Sequence, residues 1–207
     1  MTWLKRASQT VAEALRLAGS QLLDIDFTEL NTGFRLREEN GITCSDIYLY
    51  DQLSSGAGYS TNLSTRIKEL IEKTKIILNS CNCDYACRNC LKHYRNQFVH
   101  GELDRTAALD LLLWGVEGKT PSPYSYSNQV NLIYQLENIL KSHSIQIVLD
   151  KDKIYLQNQD YKKELVIYPT FSFMLEDKTK IMIKDFDIKF NKPKFLKDVT
   201  EALGVNS

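Results

Sequence analysis

Four cysteines, Cys81, Cys83, Cys87 and Cys90, lie within ten residues in the run CNCDYACRNC. Four thiolates are a complete ligand set for tetrahedral Zn²⁺ at about 2.3 Å per bond, which puts the sulfurs roughly 4 Å apart. A tight turn at the first pair and the first turn of a helix at the second pair can supply that separation. Because four protein ligands leave no coordination position for water, we expect one structural zinc per chain and no hydrolytic metal chemistry.

Other uses of the clustered cysteines remain open at this stage. An iron–sulfur cluster also takes four cysteine ligands, and Cys87 and Cys90 alone have the spacing of a thiol–disulfide site. His93 follows Cys90 by three residues and can replace one thiolate. The fifth cysteine, Cys44, is interpreted as a small buried apolar residue. A secreted disulfide scaffold spreads its cysteines along the chain, so the tight cluster favours a reducing, cytoplasmic compartment.

Helix and strand signals on both sides of the cluster indicate how it is positioned. Apolar residues at helical spacing predict helices over 9–23 and 62–79, and SDIYLY at 45–50 predicts a strand. We expect a further helix to begin near Cys87 and to carry LKHYRNQF, and Asp104 to cap a helix over DRTAALDLLLWG. The segment SSGAGY is interpreted as a tight turn, because it lacks the Lys-Ser/Thr pair of a phosphate-binding loop.

The composition changes after residues 117–128, whose Pro, Ser and Gly predict a linker or surface loop. Residues 1–118 carry 13 basic and 15 acidic side chains, whereas residues 119–207 carry 13 lysines and 11 acidic side chains. The second half predicts a helix over 129–143, a closing helix, and the hairpin-connected strands IQIVLD, KIYLQN, ELVIYPTF and KIMIKDFDIKF. The expected fold class is α+β: a helical zinc-binding domain with a small sheet at 1–118, followed by a β-hairpin-rich module at 119–207.

Whole-chain composition excludes several classes of protein. The chain has 207 residues with 26 basic and 26 acidic side chains, which excludes a polybasic protein, so nucleic-acid binding requires a local patch. Wholly apolar runs reach four residues, well short of the ~20 that a spanning helix needs. The amphipathic start of the chain is not typical of a signal peptide. We expect a soluble protein without membrane contact.

The residues around and beyond the cluster resemble a known family. The runs CNCDYACRNCLKHYRNQFVHGELDR and IYLYD, and the GAGY segment, are similar to the MrfA-type zinc-binding (MZB) domain. That domain is found at the C-terminus of superfamily-2 DNA helicases and in DrmB-like anti-phage defence proteins. Ser55 replaces the first glycine of the family's loop. The positions that match after the cluster are Leu91, Tyr94, Asn96, Gln97, His100, Leu103, Asp104 and Arg105.

The resemblance covers about residues 8–115, and it implies zinc on the four clustered cysteines. It also implies a helicase or translocase motor as partner, in DNA repair or anti-phage defence. Unlike helicases of the family, the chain has no G-x4-G-K-[ST] phosphate loop, so ATP hydrolysis by that route is not expected. The chain is interpreted as a separately encoded partner of a motor or as the C-terminal piece of a larger polypeptide. We expect a non-catalytic accessory protein with no catalytic residues.

Basic residues next to the cluster are the candidates for contact with DNA. Arg88, Lys92 and Arg95, with the aromatic Tyr94, can lie along a nucleic-acid backbone. The same cations can instead offset the net negative charge of a four-thiolate zinc site. The polar residues that follow, Asn96, Gln97 and His100, are predicted to make caps and core contacts rather than to take part in catalysis.

Two alternative functions remain for the chain. The first is a nuclease subunit with its active site in the C-terminal half, where Asp150 and Glu164 stand at plausible places for a D…E-x-K pattern. Val166 stands where that pattern has lysine, and hairpin turns with a solvated lysine-rich face explain the same residues. The second alternative is a purely structural subunit of a defence complex, which binds protein but no nucleic acid.

Overall fold

The chain forms two compact units, residues 1–119 (unit 1) and 120–207 (unit 2). The structure, a computed structural model, describes residues 2–53, 56–172 and 174–204. Helices pack with a two-stranded sheet in unit 1 and a four-stranded sheet in unit 2, which confirms the α+β class. In the described ranges, no helix has the length and apolarity that crossing a bilayer requires. The division into a zinc-binding domain and a separate functional module remains a prediction.

The described residues of unit 1 form four α-helices and one β-ribbon. In chain order its elements are α1 (Trp3–Leu23), a 3-10 helix (Phe27–Glu29), β1 (Leu30–Glu39), β2 (Ile42–Asp51), α2 (Tyr59–Thr65), α3 (Ile67–Asn79), a second 3-10 helix (Tyr94–Val99) and α4 (Arg105–Glu117).

Helix α1 is the central element of unit 1 and packs against α3, α4 and the ribbon. The Thr2 side chain caps it by accepting from the Lys5 N–H, which satisfies one of the free amides of the first turn. Its small residues allow close packing. A Cβ built on Gly19 lies 2.9 Å from Leu63 Cδ1 and 3.0 Å from Leu30 Cδ1, so a larger residue here would have to displace these leucine side chains.

The β-ribbon is a regular antiparallel hairpin. Its register runs from Leu30 opposite Asp51 to Glu39 opposite Ile42. Asn40 and Gly41 form the turn with φ of 52° and 76°, the left-handed conformation that two-residue hairpin turns require. The sequence predicted only residues 45–50, which are part of β2, and it did not predict β1. Near the turn, β1 carries charged residues that do not alternate with apolar ones.

In unit 2, the part of the chain that the structure describes forms a mixed sheet and four helices. Its elements are α5 (Tyr126–Tyr134), α6 (Glu137–Ser142), β3 (Gln146–Asp150), β4 (Lys153–Gln157), β5 (Lys162–Tyr168), β6 (Ile181–Lys184), α7 (Asp185–Phe190) and α8 (Lys192–Ala202). The strand order is β3-β4-β5-β6, with the first two pairings antiparallel and β5 parallel to β6. Alternate strand residues and the helices form one apolar core centred on the fully buried Phe195.

Several local predictions were wrong for identifiable reasons. The helix predicted over 62–79 is divided into α2 and α3 at Arg66, whose φ of −112° and ψ of 27° are not helical. No α-helix begins at Cys87, where the chain instead turns tightly. The last predicted strand ends at Lys184, and residues 185–190 are helical. Since β5 and β6 are parallel, a crossover rather than a hairpin joins them.

Candidate metal centre

The cysteine loop connects the end of α3 to the second 3-10 helix. Cys81 and Cys83 directly follow Ser80, the residue that caps the C-terminus of α3. The second pair lies on a tight turn, in which the Cys87 carbonyl accepts from the amides of Cys90, Leu91 and Lys92 at 3.2, 3.1 and 2.9 Å. A single turn therefore places the second pair of sulfurs on one side, as the predicted helix would have done.

The four sulfur atoms converge on one point. The Sγ–Sγ distances are 3.6 Å for Cys81 and Cys87, 3.7 Å for Cys83 and Cys90, and 3.8 Å for Cys87 and Cys90. All four lie within 4.8 Å of one another, and none is in a disulfide. A tetrahedron with metal–sulfur bonds of about 2.3 Å has sulfurs roughly 3.8 Å apart. The cluster therefore fits one structural zinc.

The protonation chemistry of the cluster also suits a divalent cation. The backbone N–H of Cys83 lowers the pKa of Cys81 to about 7. Burial raises the pKa of Cys83 to about 12 and also raises that of Cys90. A bound Zn²⁺ supplies the positive charge that holds all four sulfurs as thiolates. The donor set thus matches the metal in geometry and in charge.

The loop is anchored to unit 1 by Arg105 at the start of α4. Its Nε donates to the Cys83 carbonyl at 3.0 Å, and its Nη1 donates to the Leu78 carbonyl at 3.3 Å. Its own amide donates to the Tyr85 carbonyl at 2.8 Å. Arg88, Lys92 and Arg95 were candidates either for DNA contact or for offsetting the charge of the zinc site, whereas the side-chain cation bonded to the loop backbone is Arg105.

A second anchor is the buried amide of Asn96. Its Nδ2 donates to the Leu91 carbonyl at 2.8 Å and to Glu13 Oε2 at 3.1 Å, and its Oδ1 accepts from the His93 amide at 3.0 Å. The His100 Nε2 donates to the same Oδ1 at 2.9 Å. These contacts confirm the predicted caps and core contacts for Asn96 and His100, and they join the segment after the cluster to α1, whereas Gln97 is exposed.

His93 is not part of the sulfur cluster. Its ring contacts Phe27 edge-on at 4.0 Å between ring centroids, and its Nε2 lies 4.0 Å from Glu13 Oε2. Burial lowers the pKa of His93, which favours the neutral imidazole beside the aromatic ring. The geometry therefore leaves the four thiolates as the donor set and His93 as a packing residue.

The comparisons with known proteins agree with this geometry. The family model described as the MrfA Zn-binding domain (MZB) matches residues 11–91, which include all four cysteines. Residues 11–91 are therefore similar to this domain. Arg105 and Asn96 lie beyond the matched range, and their side chains bond to residues inside it.

One curated protein and one solved structure are similar to parts of this chain. The Druantia protein DruE of Escherichia coli (strain UMEA 4076-1) is 36% identical over 147 residues, which are 69% of this chain and 8% of DruE. The crystal structure of the DUF1998 helicase MrfA bound to DNA is similar with a TM-score of 0.42 and 18% identity, over 53% of this chain and 14% of that chain. This chain spans a small part of the length of either relative.

The basic candidates lie within the matched residues 11–91 and just beyond them. Arg88 and Arg95 are exposed and Lys92 is half-buried. Within the described residues, none of the three forms an ion pair. Their charges are therefore available to an outside ligand, although their role in nucleic-acid binding remains a prediction.

The turn before α2 is closed by a carboxylate. Asp51 accepts from the amides of Gly58 and Ser60, both at 2.7 Å, and the Ser60 amide is the main reason that the pKa of Asp51 is lowered. These are the amides that a phosphate would take, so the geometry agrees with a structural turn. Ser54 and Ser55, including the replaced glycine position, lie outside the described residues.

The remaining predicted positions lie away from the sulfur cluster. Cys44 is half-buried on β2. Asp150 is exposed at the end of β3, and Glu164 forms ion pairs with Lys153 at 3.2 Å and Lys180 at 3.1 Å. The four cysteines are the one group in the described ranges whose geometry suits a metal ion. Ion pairing across the sheet thus accounts for Glu164.

Proposed function

We propose that this chain is a non-catalytic, zinc-binding accessory component of a DNA helicase or translocase system in anti-phage defence or DNA repair. Cys81, Cys83, Cys87 and Cys90 bind one zinc that holds the loop in shape. The chain acts through contacts with the motor and with DNA, in the cytoplasm. The observation that carries the proposal is the convergence of four sulfurs inside a domain that matches a zinc-binding family of helicases.

The zinc has a structural role in this proposal, because four protein sulfurs complete the coordination sphere. Structural zinc in small peptides binds with roughly 10–16 kcal/mol of apparent free energy, which is comparable to the stability of a whole domain. The loop from 81 to 93 has little regular secondary structure of its own. Zinc binding therefore supplies the free energy that keeps the loop folded. The folded loop can then offer its surface to a partner.

The similarity to the Druantia protein DruE supports a role in defence. The unpaired cations Arg88, Lys92 and Arg95 support contact with a polyanion next to the metal centre. A DNA contact of this kind, with few cations, is weak and salt-dependent on its own. Binding to a motor that holds the DNA would raise the effective concentration and make a weak contact useful.

The proposal is tested with the zinc-loaded full chain. We expect affinity purification from cells that express it to retain an ATP-dependent helicase or translocase, and we expect the chain to bind DNA at low salt. The variant Arg88→Gln/Lys92→Gln should weaken DNA binding, while the matched control Lys162→Gln/Lys163→Gln in unit 2 should not.

Three outcomes would contradict the proposal. Absence of both motor and DNA binding removes it entirely. Retention of a motor without any DNA binding at low salt favours a purely structural subunit. Metal-dependent cleavage of DNA that is lost in Asp150→Ala or Glu164→Ala replaces the proposal with a nuclease.

A further inference from the structure

Two aromatic side chains next to the metal centre stand almost free in solvent. Tyr94 is 78% exposed and Phe98 is 90% exposed, and both belong to the 3-10 helix Tyr94–Val99. A single exposed apolar side chain on a protein surface is common. Two rings of this size on one six-residue helix, beside an ordered loop, instead indicate a surface that a ligand covers.

The helix that carries these rings is anchored to the core of unit 1. Asn96, only 4% exposed, lies between them in sequence and is bonded to the Leu91 carbonyl and to Glu13 on α1. Because Asn96 points into the core, the backbone on either side of it has a fixed position. The exposed rings are therefore attached to an ordered backbone, which lowers the entropy cost of ligand binding.

The surface around the rings carries positive charge. Arg95 lies between Tyr94 and Phe98 in sequence and is exposed. Burial is the main cause that lowers the pKa of Arg16, and Arg95 is close enough to contribute to the same lowering. Arg16 lies over the Phe27 ring, 4.0 Å from its centroid.

Arg16 is half-buried, and the nearby Glu13 opposes the lowering of the Arg16 pKa by burial, so Arg95 is the exposed cation of the two. Neither Arg16 nor Arg95 forms an ion pair within the part of the chain that the structure describes. Arg95 contributes to lowering the pKa of Asp26, and Asp26 accepts two hydrogen bonds from Thr28. Glu13 is buried and bonded to Asn96.

Two exposed rings with the exposed Arg95 between them in sequence match the chemistry of an unpaired polynucleotide. Aromatic side chains stack on bases of any sequence, while cations follow the phosphates. The bases of a duplex are already stacked on one another, so a duplex offers the rings no face. An apolar protein surface would cover the rings but would bury Arg95 without a partner charge, which is costly.

We propose that Tyr94 and Phe98 form a stacking face for the bases of single-stranded nucleic acid, with Arg95 on its phosphates. This inference rests on the DNA contact in the proposed function and specifies its strand type and its residues. The sequence indicated basic residues, with Tyr94, as candidates for contact with DNA. The structure adds the exposed ring of Phe98.

The test measures binding of a fluorescent oligothymidylate and of a duplex of equal length to the zinc-loaded full chain. We expect the single strand to bind more tightly than the duplex. Tyr94→Ala and Phe98→Ala should each weaken binding of the single strand about tenfold, whereas Phe98→Tyr should retain it. Arg95→Gln should reduce the slope of log K against log salt by about 0.7.

The control variant is Tyr134→Ala, which removes an exposed tyrosine of unit 2 and should leave binding unchanged. Zinc content and circular dichroism of each variant show that the fold is retained. If the chain binds DNA through Arg88 and Lys92 but the two ring variants bind normally, this inference fails while the proposed function survives. If the ring variants lose the motor and keep the oligothymidylate, the surface binds protein and the inference is overturned. If no DNA is bound at all, both fail.

Discussion

The Arg105 Nε donates to the main-chain carbonyl of Cys83 at 3.0 Å, across 22 residues of sequence. The same guanidinium reaches the Leu78 carbonyl at the end of α3. One side chain thus holds the helix before the cysteine loop, the loop itself and the helix after it. Contacts of this kind around a metal site orient the ligands and preserve the spacing that the metal needs.

We predict that Arg105→Gln weakens zinc binding by about 10- to 100-fold, the usual effect of losing a contact that orients metal ligands. Competition with a chromogenic chelator measures the change. Arg88→Gln is the matched control, since Arg88 is exposed and forms no ion pair within the described ranges. Equal losses in the two variants would show that Arg105 acts only through its charge.

We predict that Asn96→Ala destabilises unit 1 by about 2–3 kcal/mol. The change removes the donor to Glu13 and to the Leu91 carbonyl and the acceptor of the His93 amide, and buried polar groups without partners are costly. Denaturant unfolding of the zinc-loaded chain measures the loss. Gln97→Ala on the exposed side of the same helix should change stability by no more than about 0.5 kcal/mol, and a similar loss there would contradict the role of Asn96.

Much of this arrangement was readable from the sequence, and some of it was not. The cysteine spacing gave the metal site, because ligands close in sequence need only a local turn. The clamp by Arg105 depends on α3 and α4 lying side by side, which no local pattern reports. The exposure of Phe98 was also hidden, because an apolar residue four positions after Tyr94 is typical of a buried helix face. Only the tight turns around Asn96 point both rings outward.

The second half of the chain shows the same limit. The hairpin β3–β4 followed from alternating residues and a charged turn. Residues 185–190 alternate in the same way, but they form α7 because Asp185 is drawn into the core by bonds to Thr170 and Tyr124. These partners lie 15 and 61 residues away, beyond any local window.

We predict that Glu13→Gln makes the stability of unit 1 less dependent on pH. Burial raises the pKa of Glu13 above its ordinary value of 4.5, although Asn96, Arg16 and His100 oppose the shift. The stabilisation of unit 1 by the protonated Glu13 is therefore fully present below pH 4.5, and it is lost as the pH rises through the higher folded-state pKa of Glu13. Glutamine keeps an acceptor for Asn96 without the charge.

Denaturant midpoints of unit 1, measured between acidic and neutral pH, check the Glu13 prediction. The exposed Glu176→Gln in unit 2 is the control and should leave the profile of unit 1 unchanged. A Glu13→Gln profile as steep as that of the unchanged chain would contradict the assignment.

We predict that Asp185→Asn destabilises unit 2 by about 3 kcal/mol at neutral pH, because it breaks the buried ion pair with Lys189. Burial opposes ionisation of Asp185, but Lys189 and Thr170 outweigh it and lower its pKa below 3.8. This stabilisation is present above pH 3.8 and is lost as the pH falls through the folded-state pKa. Hydrogen exchange in the full chain should show faster exchange confined to 120–204. An effect spread equally over both units would speak against a local pair.

The zinc content of the full chain tests the central claim most directly. Elemental analysis of protein purified without chelators, combined with thiol counting, should give one zinc per chain and four protected thiols. Cys83→Ser should lower the zinc content and leave unit 1 unfolded or aggregated, whereas Cys44→Ser should change neither. Iron with visible absorbance, or metal-free protein with the clustered cysteines joined in disulfides, would contradict the structural zinc and the accessory role built on it.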